Sequence, residues 1–174
     1  MKIVVISGSP RKAAKTQIMM KYVYDYVKSK NDNTVFINLS QQEVDCFRGH
    51  EENYNEATKK ARNDITEADV WLIGSPIYNS FFSSALKNLF EYIDYKKTEG
   101  KVAGMAILAA GNIGFIFVQT LMTQLMSYFK VLTNPKGVFL TTNDIDDHEI
   151  NDKSKERLRN MVNETLKIAD KVRT

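Results

Sequence analysis

Two apolar rhythms alternate along the chain. Continuous apolar runs occupy Lys2–Ser7 (KIVVIS), Asp69–Ser75 (DVWLIGS) and Val102–Ala110 (VAGMAILAA), which is how strands buried on both faces of a parallel sheet read. Weaker runs at Thr34–Leu39 and Gly137–Thr141 supply two more strand candidates. Between the runs, apolar residues recur every three or four positions, the spacing of a helix with one buried face. They are Ile18, Met19, Tyr22, Val23, Tyr26 and Val27; then Phe82, Leu86, Leu89, Phe90 and Ile93; then Val118, Leu121, Met122, Leu125 and Phe129. A more polar helix is expected near Asn55–Glu67, and a last one over Lys153–Val172, where Leu158, Val162, Leu166 and Ala169 share a face.

The order is five βα units. Strands that alternate with helices imply right-handed crossovers and a parallel α/β sheet in three layers, because both faces of the sheet must bury their side chains. In such sheets a ligand lies outside the carboxyl ends of the strands, where strand order reverses. The loops after the first, third and fourth strands therefore carry the functional interest. Thr142–Asp152 (TNDIDDHEIND) is acidic and polar and reads as a solvated loop.

Composition narrows the class. A chain of 174 residues with 43% hydrophobic content fits one domain spanning 1–174. No apolar stretch reaches the length of a membrane span and no secretion leader precedes the first strand, so a cytoplasmic protein without a membrane partner is expected. Cys46 is the single cysteine, which excludes an intrachain disulfide and a thiolate metal cluster. The formal charge of +3 is spread without a run of like charges, too little to argue for nucleic acid. Trp71 lies inside an apolar run and reads as core, as do the helical Met19, Met20, Met122, Met126 and Met161. Cys46, His50 and His148 fall in polar segments and read as packing or surface residues.

The loop after the first strand, Gly8-Ser9-Pro10-Arg11-Lys12, leads directly into the first helix. Backbone N–H groups at a helix start, hydroxyls on Ser9 and Thr16, and the cations Arg11, Lys12 and Lys15 together make a seat for a phosphate monoester. The bland alternative is a strand-to-helix turn capped by Ser9 or Thr16. The loop is neither a Walker A motif nor a GxGxxG fingerprint, which disfavours triphosphates and tightly held dinucleotides. After the third strand comes Gly74-Ser75-Pro76-Ile77-Tyr78-Asn79-Ser80, and after the fourth Gly111-Asn112-Ile113-Gly114, where backbone can approach a ligand closely. Asn112 is equally readable as a helix cap. No nucleophile–base pair or GxSxG elbow is present.

The pair GSPRK and GSPIYNSFFSSALKNLFEYID resembles the NADPH-dependent FMN reductase family of the flavodoxin-like superfamily, over nearly the whole chain. The resemblance implies a flavodoxin-like three-layer sandwich with a five-stranded parallel sheet in the order 2-1-3-4-5. It implies FMN as cofactor and NADPH or NADH as electron donor, with hydride passing to the flavin and electrons then going to a small-molecule acceptor such as a flavin, quinone or azo compound. Carried over residue by residue, the FMN phosphate falls to Ser9, Arg11 and Thr16, with Lys15 adding charge. The isoalloxazine ring falls to Pro76, Ile77, Tyr78 and Asn79 on one side and to Gly111 and Asn112 on the other. Ala14-Lys15 stands where relatives commonly carry small polar residues, and Ile77 where many carry a carboxylate. A homodimer or homotetramer is expected on the same grounds, burying Phe81, Phe82, Phe115, Phe117, Leu121, Leu125 and Tyr128 of the third and fourth helices. The alternative is a flavodoxin-like electron carrier that never meets a nicotinamide.

Overall fold

The computed structural model describes residues 1–50, 53–146 and 148–173. Strand β1 (Ile3–Ser7) lies between β2 (Thr34–Asn38) and β3 (Val70–Tyr78), and β3 pairs on its other side with β5 (Val102–Ala109), all parallel. Two short segments, β6 (Leu132–Thr133) and β7 (Val138–Thr141), both pair with β5, β6 near its start and β7 near its end. They are one fifth strand, broken where Asn134-Pro135-Lys136-Gly137 removes a ladder donor at the proline. The order of the long strands is therefore the expected one of a flavodoxin-like sheet.

Helices α1 (Lys15–Lys28) and α5 (Asp152–Arg173) cover one face; α2 (Glu56–Glu67), α3 (Ser84–Glu91) and α4 (Phe115–Tyr128) cover the other. The alternation within β1 explains both cores. Ile3 and Val5 face Met19, Met20 and Val23 of α1, whereas Val4 and Ile6 face the opposite layer with Ile65, Leu86 and Leu89. Each such fully buried side chain contributes about 1.5–3 kcal/mol by leaving water. Trp71 is fully buried, and its ring N–H donates to the Ile65 carbonyl at 3.0 Å. The five helical methionines are buried as expected. Among the described residues no helix is long and apolar enough to cross a membrane.

Two boundaries and one added strand differ from the sequence expectation. Strand β3 does not stop at Ser75 but runs to Tyr78, then turns back through β4 (Phe81–Phe82), which pairs Tyr78 with Phe81 and Ile77 with Phe82. The intervening Asn79 and Ser80 have φ of 49° and 65°, the left-handed pair that a two-residue hairpin turn requires. Pro76 is tolerated because Gly74 and Pro76 point their backbone groups toward β1, and β1 pairs no further than Gly74, so no ladder bond is lost. Helix α3 consequently begins at Ser84 instead of Phe82, capped by the Ser83 hydroxyl, which accepts from Leu86 N at 3.1 Å.

The segment after β7 is ordered by its acids, contrary to a solvated loop. Asp144 accepts from Thr141 N (2.7 Å), Thr141 Oγ1 (3.0 Å), Asn151 Nδ2 (3.1 Å) and Ser154 Oγ (3.2 Å). Ile145 and Ile150 are buried and bridged to each other. Burial alone pushes the Asp144 carboxyl up, but the hydrogen bonds outweigh it and hold the group below its ordinary value. Asp147 lies outside the described residues.

Candidate functional site

The carboxyl ends of β1, β3 and β5 and the loops that leave them meet at one edge of the sheet. Gly8 N donates to the Gly74 carbonyl at 2.8 Å, and the Ser83 hydroxyl donates to the Gly8 carbonyl, fixing the first loop against the third strand. Nothing in the sequence patterns marked Ser83. Its place three residues before Leu86, at the head of an apolar helical period, was the available cap signal.

Helix α1 opens without a cap from its own chain. Its N-cap residue is Ala14, whose methyl accepts nothing, and its first turn carries no acid. This removes the alternative in which Ser9 or Thr16 caps the helix; Gln17 N donates to the Ala14 carbonyl at 2.8 Å, and the N–H groups of Lys15 and Thr16 before it stand at the positive helix end. Ser9 and Thr16 are buried beside this terminus, while Arg11 and Lys12 are exposed. Uncapped donors, hydroxyls and two exposed cations, with no local carboxylate in the helix start, form the donor set a phosphate monoester dianion needs. The residues present therefore fit the phosphate end of FMN.

Tyr78 joins the first loop to the third. Its hydroxyl lies 2.9 Å from Ser9 Oγ, and the Arg11 guanidinium sits 4.8 Å from its ring centroid, a cation–π contact. Ser9 Oγ also accepts from Arg11 N at 3.3 Å. Ile77 joins the third loop to the one after β5: a Cβ placed on Gly114 would lie 3.5 Å from Ile77 Cδ1. The last link is Thr142, whose hydroxyl reaches the Ala110 carbonyl at 3.4 Å.

Of the residues singled out from sequence, Ser9, Arg11 and Tyr78 are brought into contact, Thr16 is buried in the first turn of α1, Ile77 lies against Gly114, and Pro76 lies in the strand that carries Ile77 and Tyr78. Asn79 occupies the exposed hairpin turn, a backbone role in place of a polar side-chain contact. Gly111 and Asn112 are exposed, and a Cβ on Gly111 would meet nothing within 4 Å. The glycine with conformational work to do is Gly114, which caps α4 at φ 92°; Asn112 is not the cap. Lys15 departs most from expectation. Its ammonium donates to the carbonyls of Thr142 (3.0 Å) and Ile145 (2.5 Å), so it is held by backbone acceptors of the segment after β7 and does not reach over the phosphate seat.

Beyond this edge, Cys46 is exposed. His50 packs edge-on to Phe47 at 5.1 Å, and His148 lies in the exposed turn where its N–H donates to Asp146. Among the described residues no group of His, Cys, Asp and Glu is arranged to hold a metal.

The comparisons with known proteins bear on the family and the fold. Residues 1–146 match the family described as NADPH-dependent FMN reductase. The chain is 28% identical over 165 residues to an NADPH azoreductase of Bacillus sp. (strain OY1-2), covering 94% of this chain and 90% of that protein. It is 27% identical over 145 residues to an NAD(P)H-dependent FAD/FMN reductase of Geobacillus thermodenitrificans, covering 82% and 78%. In three dimensions it superposes on the apo form of an NADH:FMN oxidoreductase with a TM-score of 0.80 at 19% identity, covering 94% and 87%. It also superposes on the flavoenzyme NAD(P)H:acceptor oxidoreductase of Paracoccus denitrificans with a TM-score of 0.78 at 18% identity, covering 98% and 97%. With the family matched over most of its length and the fold shared with flavin oxidoreductases, the chain belongs to the NADPH-dependent FMN reductase family.

Proposed function

We propose that this chain seats FMN along the sheet edge formed by the loops after β1, β3 and β5, and works as an FMN-dependent NAD(P)H oxidoreductase that reduces a small acceptor. The observation that carries the site is the α1 terminus: a helix start left uncapped at Ala14, free of acid, and tied through Ser9 and Arg11 to Tyr78 of β3. When bound, FMN supplies the two-electron chemistry between the nicotinamide and the acceptor.

The residues of this chain supply position and field. First-turn N–H groups of α1, with Ser9 and Thr16, hold the phosphate, and Arg11 is free to leave the Tyr78 ring and add charge. Extended backbone at Pro76–Tyr78, overrunning the end of β1, lies where the ring edge needs in-plane donors and acceptors. The positive end of α4 behind Gly114 favours negative charge on the ring by a few tenths to about 1 kcal/mol. The exposed rim around Ile113 and Phe117 leaves the outer face open to a nicotinamide and then to the acceptor.

Ile113 (90% exposed) just before α4 and Ile116 (74%) and Phe117 (76%) in its first turn form an apolar patch with Phe81 beside it, and Tyr128 (65%) adds a second exposed ring at the far end of the helix. Apolar area of this kind on one helix supports a homodimer through α3 and α4. A cytoplasmic location fits the single exposed thiol.

The test is to mix purified protein with FMN, remove free flavin by gel filtration and record the visible spectrum before and after anaerobic NADPH. Retained yellow flavin that bleaches within seconds is the expected result. A flavin that stays oxidised under NADPH points to an electron carrier, and a colourless protein removes the cofactor assignment altogether.

A further inference from the structure

Lys15 sits at the first residue of α1, beside the phosphate seat, yet its ammonium is occupied by two carbonyls, Thr142 O at 3.0 Å and Ile145 O at 2.5 Å. The segment that receives it is stiff. Asp144 closes it through Thr141, Asn151 and Ser154, and Ile145 is buried against Ile150. From that segment the Thr142 hydroxyl reaches the Ala110 carbonyl at 3.4 Å. Ala110 begins the loop that ends at Gly114, against Ile77. A chain of contacts thus runs from the start of α1, through Lys15 and Thr142, to the loop after β5.

We propose that Lys15 is a positioning residue, which clamps the segment after β7 onto α1 and thereby holds the loop after β5 in register with the phosphate loop. This rests on the FMN site proposed above, because it joins the phosphate end of that site to its ring end. Two carbonyls take two of the three ammonium protons, so the charge is directed into the protein and away from the phosphate. The clamp acts on the whole flavin, ring included, through Ala110–Gly114. A phosphate ligand would act only on the phosphate.

The two roles separate on a pair of ligands that differ by the phosphate alone. Dissociation constants for FMN and riboflavin, read by quenching of flavin fluorescence, are compared in the natural protein and in Lys15→Met. The clamp predicts that both rise by the same factor, about tenfold, leaving their ratio unchanged. Thr142→Val, which removes the hydroxyl that forms the next link and leaves the Thr142 carbonyl that accepts from Lys15 in place, raises both in the same way and serves if Lys15→Met does not fold. Hydrogen exchange on ligand-free protein provides a readout independent of any flavin. In Lys15→Met the amides of Asp146 and Asn151, bonded to Glu149 O and Asp144 O, exchange faster by about tenfold or more, while those of α2 keep their rates.

A loss confined to FMN overturns the clamp and makes Lys15 a phosphate ligand. Unchanged exchange in the segment after β7 overturns it as well. If the natural protein binds neither flavin, the FMN site fails, and the exchange measurement still decides the clamp.

Discussion

A Cβ on Gly8 would lie 2.7 Å from the Gly74 carbonyl oxygen, an approach that backbone cannot relieve without moving one of the two strands. The same pair is joined by the 2.8 Å bond from Gly8 N. Gly8→Ala is therefore expected to leave the sheet formed but push the phosphate loop off β3, weakening FMN by about tenfold or more, since misplacement near 1 Å costs on that scale. Calorimetric titration against FMN checks it, and unimpaired binding would show that the loop is not held this way. Tyr92 offers a second test at this scale. Burial is the main cause that lifts its phenol to about 12, with Tyr54, Asp45 and Cys46 adding to it, and its hydroxyl donates to Asp45 O at 2.7 Å. A folded value raised above the unfolded one means stability that is complete below pH 10 and lost as pH climbs through about 12. Tyrosinate absorbance during an alkaline titration should show a late step that Tyr92→Phe removes. That variant should also cost about 1 kcal/mol near neutral pH for the lost hydrogen bond. At this scale the sequence was legible where a residue's type dictates its chemistry, as at Ser9, Arg11 and Tyr78. It was not legible where a long side chain could turn either way: nothing in GSPRKAAKT says that Lys15 points to residues 142–145, which are close only after folding.

Helix α1 shows a conflict between stability and binding. An N-cap of Ala at residue 14 forgoes a bond that Asp, Ser or Asn would supply. Ala14→Asp is expected to stabilise the ligand-free protein by about 1 kcal/mol. The same carboxylate faces the phosphate seat, so FMN affinity should fall by about tenfold while riboflavin affinity changes little. Melting curves and the two flavin titrations report the opposed signs, and equal loss of both flavins would place the phosphate elsewhere. The legibility of elements followed their periodicity. Runs buried on both faces marked β1, β3 and β5, the three-and-four spacing marked α1, α3, α4 and α5, and α2 was read as a more polar helix. What escaped were features set by pairing partners: the extension of β3 past Pro76, permitted by the early end of β1, and the hairpin closed by Asn79 and Ser80. The acid-rich segment after β7 escaped for another reason. Its polar residues satisfy one another around Asp144, a pattern that composition cannot tell from a solvated loop.

Across the whole molecule, strand order and the layer arrangement follow from alternating βα units, and the proposed site lies at the reversal of strand order between β1 and β3. Of the aromatic and aliphatic residues that the sequence shows in excess around the third and fourth helices, Phe82 and Phe115 belong to the core and Leu121 and Leu125 pack against it, whereas Phe81, Phe117 and Tyr128 stay exposed together with Ile116. Light scattering should give a dimeric mass at micromolar protein, and Ile116→Lys combined with Phe117→Glu should give a monomer that remains folded. A monomeric mass for the natural protein would remove the dimer.

The account stands on a single flavin slot shared by three loops. Titrating free FMN with the protein while following flavin fluorescence tests it most directly. The slot predicts saturable quenching at one flavin per chain, tighter for FMN than for riboflavin because the α1 terminus holds the phosphate. Fluorescence that stays at the level of free FMN when protein is in large excess would contradict it.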